Sequence, residues 1–181
     1  GGMLGLLKRL RGKKTKSGSA GAGQMKMLRQ IPKLLRFIPG KAQDVRAYFL
    51  TMQYMLAGSD DNIANLVRFL ISRYAKGPRE VLRTIVKPAD PAIYPDVGLY
   101  HPKLKGRVTD DLAAYERAAG RKGKAGTVGL LVMRSYVLAD NTAHYEGVID
   151  ALQAKGLKVV TAFASGLDAR PAIEKYFMRD G

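Results

Sequence analysis

A polar loop directly after the apolar run TVGLLVM (residues 127–133) carries the side chains best suited to binding a ligand. A helix that begins near residue 141 or 142 would point free backbone N–H groups towards the end of that run. Arginine, serine, asparagine and threonine add donors that suit a carboxylate or a phosphate, and a histidine in the first turn could stack on a ligand or donate to it. We therefore predict a ligand-binding edge here. Its candidate residues are Arg134, Ser135, Asn141, Thr142 and His144.

A purely structural interpretation of the same residues stays open. Asn141 or Thr142 can serve as the N-cap of the helix. Arg134 can form an ion pair with Asp140 or Asp168. None of these roles needs a ligand.

Two short apolar runs and a helix between them position the loop. Residues 127–133 and 157–163 (LKVVTAF) have the composition of strands buried on both faces. Gly156 stands where a helix needs a left-handed C′ residue. The order predicts a βαβ unit with a right-handed crossover and a parallel strand pair, and such sheets bind ligands beyond the carboxyl ends of their strands. The helix is predicted from one apolar stripe: Tyr145, Val148, Ile149 and Leu152.

Two helices are predicted upstream, and the short GSDD connection between them favours an antiparallel αα-hairpin. We interpret Asp60 and Asp61 as charges at a helix N-terminus rather than metal ligands. Pro32 is expected to lie at the start of any helix near it. The predicted buried stripes are Val45, Tyr48, Phe49, Met52 and Leu56 in the first helix and Ile63, Leu66, Val67, Leu70, Ile71 and Tyr74 in the second.

A proline-rich segment, residues 87–102, follows the hairpin. Its four prolines predict neither a regular helix nor a central strand. For His101, packing or solvent exposure is favoured over a ligand role.

The order of these segments carries a family resemblance. It is strongest over residues 134–177, RSYVLADNTAHYEGVIDALQAKGLKVVTAFASGLDARPAIEKYF, and extends to residues 31–70 and to YPDVGLYHP at 94–102. Over roughly residues 25 to 180 the chain resembles the large porphyrin-binding subunit of magnesium chelatase and, less closely, the related cobaltochelatase subunit. That family chain is several times longer, so the resemblance is to an N-terminal fragment.

The resemblance implies a function for the whole subunit. It implies that, with ATP-hydrolysing partner subunits, the subunit inserts Mg²⁺ into protoporphyrin IX in chlorophyll or bacteriochlorophyll biosynthesis. The porphyrin propionates would be the anions for the predicted edge. Mg²⁺ and ATP would serve the whole complex, with no cofactor and no catalysis expected in the isolated segment. The implied location is the cytoplasm, or the plastid stroma in a plant or alga.

No residue pattern predicts metal or nucleotide binding within the segment. The chain has two histidines and no cysteine, and no Ser-His-Asp or paired-carboxylate arrangement is evident. The loop RKGKAG (121–126) precedes its strand and lacks P-loop spacing, and no GxGxxG follows the first strand. We predict no metal site, and the catalytic residues stay unknown.

The positive charge is concentrated near the start. Residues 1–40 hold 10 of the 31 Lys and Arg residues and none of the 15 acidic ones. Such an arm keeps a nucleic-acid-binding protein open as an alternative, but its first aromatic residue is Phe37, so no nucleic-acid partner is expected. A non-catalytic docking module is the other alternative. The longest apolar runs are too short for a membrane span.

The predicted fold class is α/β: a helical hairpin followed by a Rossmann-like βαβα unit with parallel strands. We divide the chain into a flexible basic arm (1–24), a helical region (25–87), a segment with the prolines, a short helix and the basic loop (88–126), and a truncated βαβα unit (127–181).

Overall fold

The computed structural model describes residues 20–120 and 125–178. The chain divides into two compact units, Gly1–Gln53 and Tyr54–Gly181. The first described helix begins at Ala20, so residues 20–24 of the predicted arm are helical. Residues 1–19 of that arm and 121–124 of the basic loop lie outside the described residues. The four-segment division of the chain stays a prediction.

Two helices, α1 (Ala20–Leu35) and α2 (Ala42–Ala57), come first. The expectation for Pro32 is wrong, because it lies near the end of α1 rather than at a helix start. A proline inside a helix removes the hydrogen bond to the carbonyl four residues back. That carbonyl, Leu28 O, instead accepts a hydrogen bond from Gln53 Nε2 at 2.6 Å. Arg46 Nε donates at 3.2 Å to the carbonyl of Pro32, which is one of the last four carbonyls of α1 and so has no partner within the helix.

Helix α3 (Asp60–Tyr74) has the predicted period but buries a different face. Ser59 is its N-cap, and Asp60 and Asp61 lie in its first turn as predicted. Its buried residues are Asn62 and Phe69. Most of the apolar stripe predicted for α3, and part of that predicted for α2, is exposed: Ile63, Val67, Leu70 and Tyr74 in α3, and Val45, Tyr48 and Leu56 in α2.

The polar face of α3 holds the extended proline-rich segment. Asn62 is 1% exposed, its Nδ2 donates to the carbonyl of Ala92 at 3.0 Å, and its Oδ1 accepts from the same residue's N–H at 2.8 Å. Asn65 Oδ1 accepts from the N–H of Ala89 at 2.9 Å, and Tyr54 OH donates to the carbonyl of Ala89 at 2.5 Å. These bonds satisfy backbone groups of Ala89 and Ala92, which have no strand partner. Their formation buries the polar face of α3 around Asn62 in preference to its apolar stripe.

After a short 3₁₀ turn (Gly77–Arg79) and α4 (Leu82–Ile85), the chain enters a four-stranded sheet. Strand β1 (Val97–Tyr100) pairs with both β2 (Val108–Thr109) and β4 (Lys158–Ala164). The prediction that the proline-rich segment contains no central strand is therefore wrong. Strand β1 fits between Pro95 and Pro102, so no proline interrupts its ladder.

The predicted parallel pair is confirmed. Strand β3 (Thr127–Leu131) pairs in parallel with β4 (Lys158–Ala164), with Thr127 opposite Lys158. Helix α7 (Ala143–Ala154) connects them, and Gly156 has the predicted left-handed conformation at φ +78°. The strand order is β2-β1-β4-β3. The mixed α/β class is thus confirmed, but β3 is an edge strand and not, as predicted, buried on both faces.

Helices cover both faces of the sheet. On one face, α6 (Arg134–Leu138) and α7 pack through Val137 and Ile149 against Val159 and Phe163. On the other, α5 (Leu112–Ala119) and α8 (Arg170–Tyr176) pack through residues that include Tyr115 and Tyr176. The hydroxyl of Tyr115 donates to the carbonyl of Val159 and accepts from the N–H of Thr161, both at 3.0 Å. Strand β1 pairs with β4 only at residues 162–164, so the Tyr115 hydroxyl supplies hydrogen-bond partners to the backbone of β4 before that stretch.

His101 is a packing residue, as favoured from the sequence. It is 1% exposed and its ring meets the ring of Tyr115 edge-on at 5.7 Å. Its Nδ1 accepts from the N–H of Lys103 at 3.2 Å. Burial, with a smaller effect of the Lys103 charge, lowers the pKa of His101 below its ordinary value.

Candidate functional site

The carboxyl end of β3 leads into α6, a short helix, where the sequence predicted a loop. Arg134 is the first residue of α6. Its Nε donates to the carbonyl of Pro95 at 2.8 Å and its Nη2 to the carbonyl of Tyr94 at 3.2 Å. Both candidate acid partners named from the sequence have other cations, because Asp140 pairs with Arg107 and Asp168 with Arg170. Arg134 thus fastens the proline-rich segment to the end of the parallel strands.

Three predicted site residues, Ser135, Asn141 and His144, are at least partly exposed at this edge. The ring of His144 lies 3.9 Å from that of Tyr145 and 5.7 Å from that of Tyr136. Tyr145 is fixed to the strand end because its hydroxyl accepts from the N–H of Met133 at 3.2 Å. The edge therefore presents an aromatic cluster, Tyr136, His144 and Tyr145, with Ser135 and Asn141 nearby in the chain.

The fifth predicted residue, Thr142, is turned inward. It is 2% exposed and precedes α7 without capping it through its side chain. Its Oγ1 donates to Glu146 at 2.8 Å and accepts from Arg107 Nη2 at 2.7 Å. Arg107 also donates to Asp140, Glu146 and the hydroxyl of Tyr100. This five-residue group, the Arg107 cluster, joins the β1–β2 turn to the start of α7.

The Arg107 cluster was missed from the sequence, because its members come from three separate segments. The backbone of Arg107 has φ +63° and that of Asp140 has φ +55°, a left-handed conformation that arginine and aspartate both adopt at some cost. Arg107 Nε is buried and has no partner among the described residues. No short-range pattern marks such an arginine.

The cluster shifts the acidity of two of its members. Hydrogen bonds from Tyr100 and then Thr142 lower the pKa of Glu146, and Arg107 adds to this effect. Burial raises the pKa of Tyr100. The carboxylate form of Glu146 is thereby favoured, and its hydrogen bonds with Tyr100 and Thr142 fix the N-terminal turn of α7.

The exposed edge can stack on a flat ligand and donate to its polar groups, whereas Arg134 and Thr142 hold the fold together. Among residues 20–120 and 125–178, no group of three or more His, Cys, Asp and Glu residues could hold a metal ion. In the same part of the chain, no helix has both the length and the apolar character to cross a bilayer.

This architecture defines a mixed α/β domain with a parallel βαβ unit, the class whose ligands bind at strand carboxyl ends. The CobN/Magnesium Chelatase family matches residues 52–181, and a domain of unknown function (DUF3479) matches residues 1–49. The chain belongs to the CobN/Magnesium Chelatase family.

Named relatives agree with this family. The chain is 54% identical, over 97% of its length, to the magnesium-chelatase H subunit of Cereibacter sphaeroides, and spans 14% of that protein. It is 32% identical to the chloroplastic magnesium-chelatase subunit ChlH of Oryza sativa subsp. indica, covering 92% of this chain and 12% of that protein. A solved structure, the catalytic subunit of cobaltochelatase from Mycobacterium tuberculosis, shares 18% identity with a TM-score of 0.43 over 93% of this chain and 14% of that one. The identity to the two magnesium-chelatase subunits confirms the resemblance to the large magnesium chelatase subunit.

Proposed function

We propose that this chain is part of the porphyrin-binding subunit of a magnesium chelatase, which inserts Mg²⁺ into protoporphyrin IX for chlorophyll or bacteriochlorophyll biosynthesis. The observation that carries the proposal is the 54% identity to a magnesium-chelatase H subunit over 97% of the chain. Because the chain spans 14% of that relative, the reaction is assigned to the whole subunit and its partners.

The partners in this proposal are ATP-hydrolysing chelatase subunits, and ATP serves the complex as its energy source. Mg²⁺ is a substrate of the reaction. The complex operates in the cytoplasm or, in a plant or alga, in the plastid stroma. The name of the chloroplastic rice relative supports the second location.

Within the subunit, the aromatic cluster at the carboxyl end of β3 contacts the porphyrin. A porphyrin is a flat aromatic ring with carboxylate side chains, so it suits exposed rings with nearby donors. Tyr136 and His144 are exposed, and Ser135 and Asn141 can donate to a propionate. Arg134 and Thr142 contribute indirectly, because their described bonds hold the strand end and the start of α7 in place.

A porphyrin titration on the full-length subunit tests this contact. Tyr136→Leu removes an exposed ring, and Tyr74→Leu is a matched control, because the two tyrosines are 41% and 46% exposed. A lost aromatic stacking contact of about 1 kcal/mol corresponds to roughly fivefold weaker binding. Fluorescence quenching by a soluble porphyrin is expected to show this loss for Tyr136→Leu alone. Equal affinities in both variants and the parent would contradict the proposed contact.

The proposed reaction is tested separately. The full-length subunit, combined with its ATPase partners, is expected to insert Mg²⁺ into the porphyrin only when ATP is present. Insertion of Co²⁺ but not Mg²⁺ would instead identify a cobaltochelatase-type subunit.

A further inference from the structure

One edge of the sheet is open. In the described part of the chain, β3 pairs only with β4. The N–H of Lys158 donates to the carbonyl of Gly126 at 2.8 Å, and the N–H of Val132 donates to that of Ala162 at 2.9 Å. Even-numbered residues of β3 therefore face β4. Because a strand alternates its backbone groups, those of Thr127, Gly129 and Leu131 face away from the sheet.

The open edge has the sequence of an interior strand. Soluble proteins guard an exposed edge with charged residues, prolines or bulges. Strand β3, TVGLL, has no charged residue and no proline. Leu131 at its end is 41% exposed. Such a strand is typical of the middle of a parallel sheet, so a neighbour is expected on its free side.

The two helices that flank β4 in sequence decide where that neighbour comes from. Helix α7, which leads from β3 to β4, packs on one face of the sheet, and α8, which leaves β4, packs on the other. Strand β4 pairs with β3 along one edge and with β1 along the other, so it has no free edge for a further strand. A right-handed crossover through α8, on the face opposite to α7, must therefore return beside β3.

The end of α8 already lies at β3. A Cβ atom built on Gly129 would come within 2.9 Å of the ring of Phe177, which directly follows α8. The glycine thus permits a close approach between the helix end and the edge strand. The chain leaves α8 on the side of β3, where a new parallel strand would begin.

We propose that, in the full-length subunit, the open edge of β3 pairs with a parallel strand supplied by the chain that follows α8. The chain belongs to the CobN/Magnesium Chelatase family and spans 14% of the length of its Cereibacter sphaeroides relative. A full-length subunit as long as that relative has enough further chain to form the new strand. The sheet order becomes β2-β1-β4-β3 followed by the new strand. The crossovers then leave β3 and β4 on opposite faces, which makes the carboxyl end of β3 a topological switch point with a crevice at the aromatic cluster.

Amide hydrogen exchange at single-residue resolution on the full-length subunit, without porphyrin, tests the pairing. The amides of Thr127, Gly129 and Leu131 are expected to exchange as slowly as those of Val128 and Leu130, which face β4. Exchange of the first three at the rate of exposed loop amides would overturn the proposal. The exchange measurement does not depend on porphyrin binding. The strand pairing can therefore be disproved while the proposed function stands, and the proposed function can be disproved while the strand pairing stands.

Photocrosslinking identifies the occupant. Photo-leucine in place of Leu131 is expected to capture a peptide within about twenty residues after position 181, the length of a short connection and a strand. Photo-leucine in place of Leu167, which is 98% exposed, is the control and is expected to capture no such peptide. Capture from a more distant region, capture only within residues 1–181, or no capture would overturn the proposal. Capture from a second copy, recognised by mixing isotope-labelled and unlabelled subunits, would also overturn it.

Discussion

Replacement of Arg107 tests whether the Arg107 cluster stabilises the start of α7 beneath the aromatic edge. The Arg107→Leu variant removes the guanidinium but keeps a side chain at φ +63°. It breaks the ion pairs with Asp140 and Glu146 and the hydrogen bonds to Tyr100 and Thr142.

The expected loss in the free energy of unfolding follows from how exposed to solvent each broken contact is. Asp140 is 62% exposed on its side chain, so its ion pair contributes a few tenths of a kcal/mol, and the more buried pair with Glu146 contributes about 1 kcal/mol. The hydrogen bonds to Tyr100 and Thr142 contribute about 1 kcal/mol each. Arg107→Leu is therefore expected to lower the free energy of unfolding by about 3 kcal/mol.

Arg107→Gly is the matched control, because it loses the same side-chain contacts but relieves the left-handed backbone. The relief is about 1 kcal/mol, so Arg107→Gly is expected to be less destabilised than Arg107→Leu by that amount. Urea unfolding of the chain, followed by circular dichroism, measures both. Stability equal to the parent in Arg107→Leu would refute the reasoning, since it would mean that desolvation of the cluster cancels its contacts.

Three further predictions concern residues that hold the fold together. Asn62→Ala is expected to lower the free energy of unfolding by about 2 kcal/mol, because it breaks two hydrogen bonds of a buried side chain. The more exposed Asn65→Ala is expected to cost about half as much, and equal urea midpoints would contradict this. Gln53→Leu leaves the Leu28 carbonyl, which Pro32 cannot bond, without its partner. The free energy of unfolding is expected to fall by about 1 kcal/mol and the amides of α1 to exchange faster, and unchanged exchange rates would count against this. The pKa of His101 is lower in the folded chain than its ordinary value of 6.5, so the folded state binds fewer protons, and stability is complete above pH 6.5 and falls as the pH drops below it. A pH series of urea midpoints is expected to be flatter for His101→Phe, and parallel curves would show that this histidine does not set the slope.

Local spacing explains which predictions were confirmed. The parallel pair, the connecting helix and the left-handed Gly156 all follow from residues a few positions apart. Hydrophobic period and turn chemistry act over that range, so the sequence carries them directly. The predicted site residues Ser135, Asn141 and His144 lie at the carboxyl end of β3 and are accessible there, while their contact with a ligand stays a prediction.

The sequence by itself therefore determined the α/β class and the βαβ unit, while its placement of a site at the carboxyl end of β3 stays a prediction. The tertiary structure alone decided which face of α3 is buried, because Asn62 bonds to a segment thirty residues away and outweighs an apolar stripe. It also decided that Arg134 and Thr142 hold the fold and that Arg107 joins them in this role. Hydrogen bonds between distant segments leave no period in a sequence, since they depend on which surfaces the folded chain brings together.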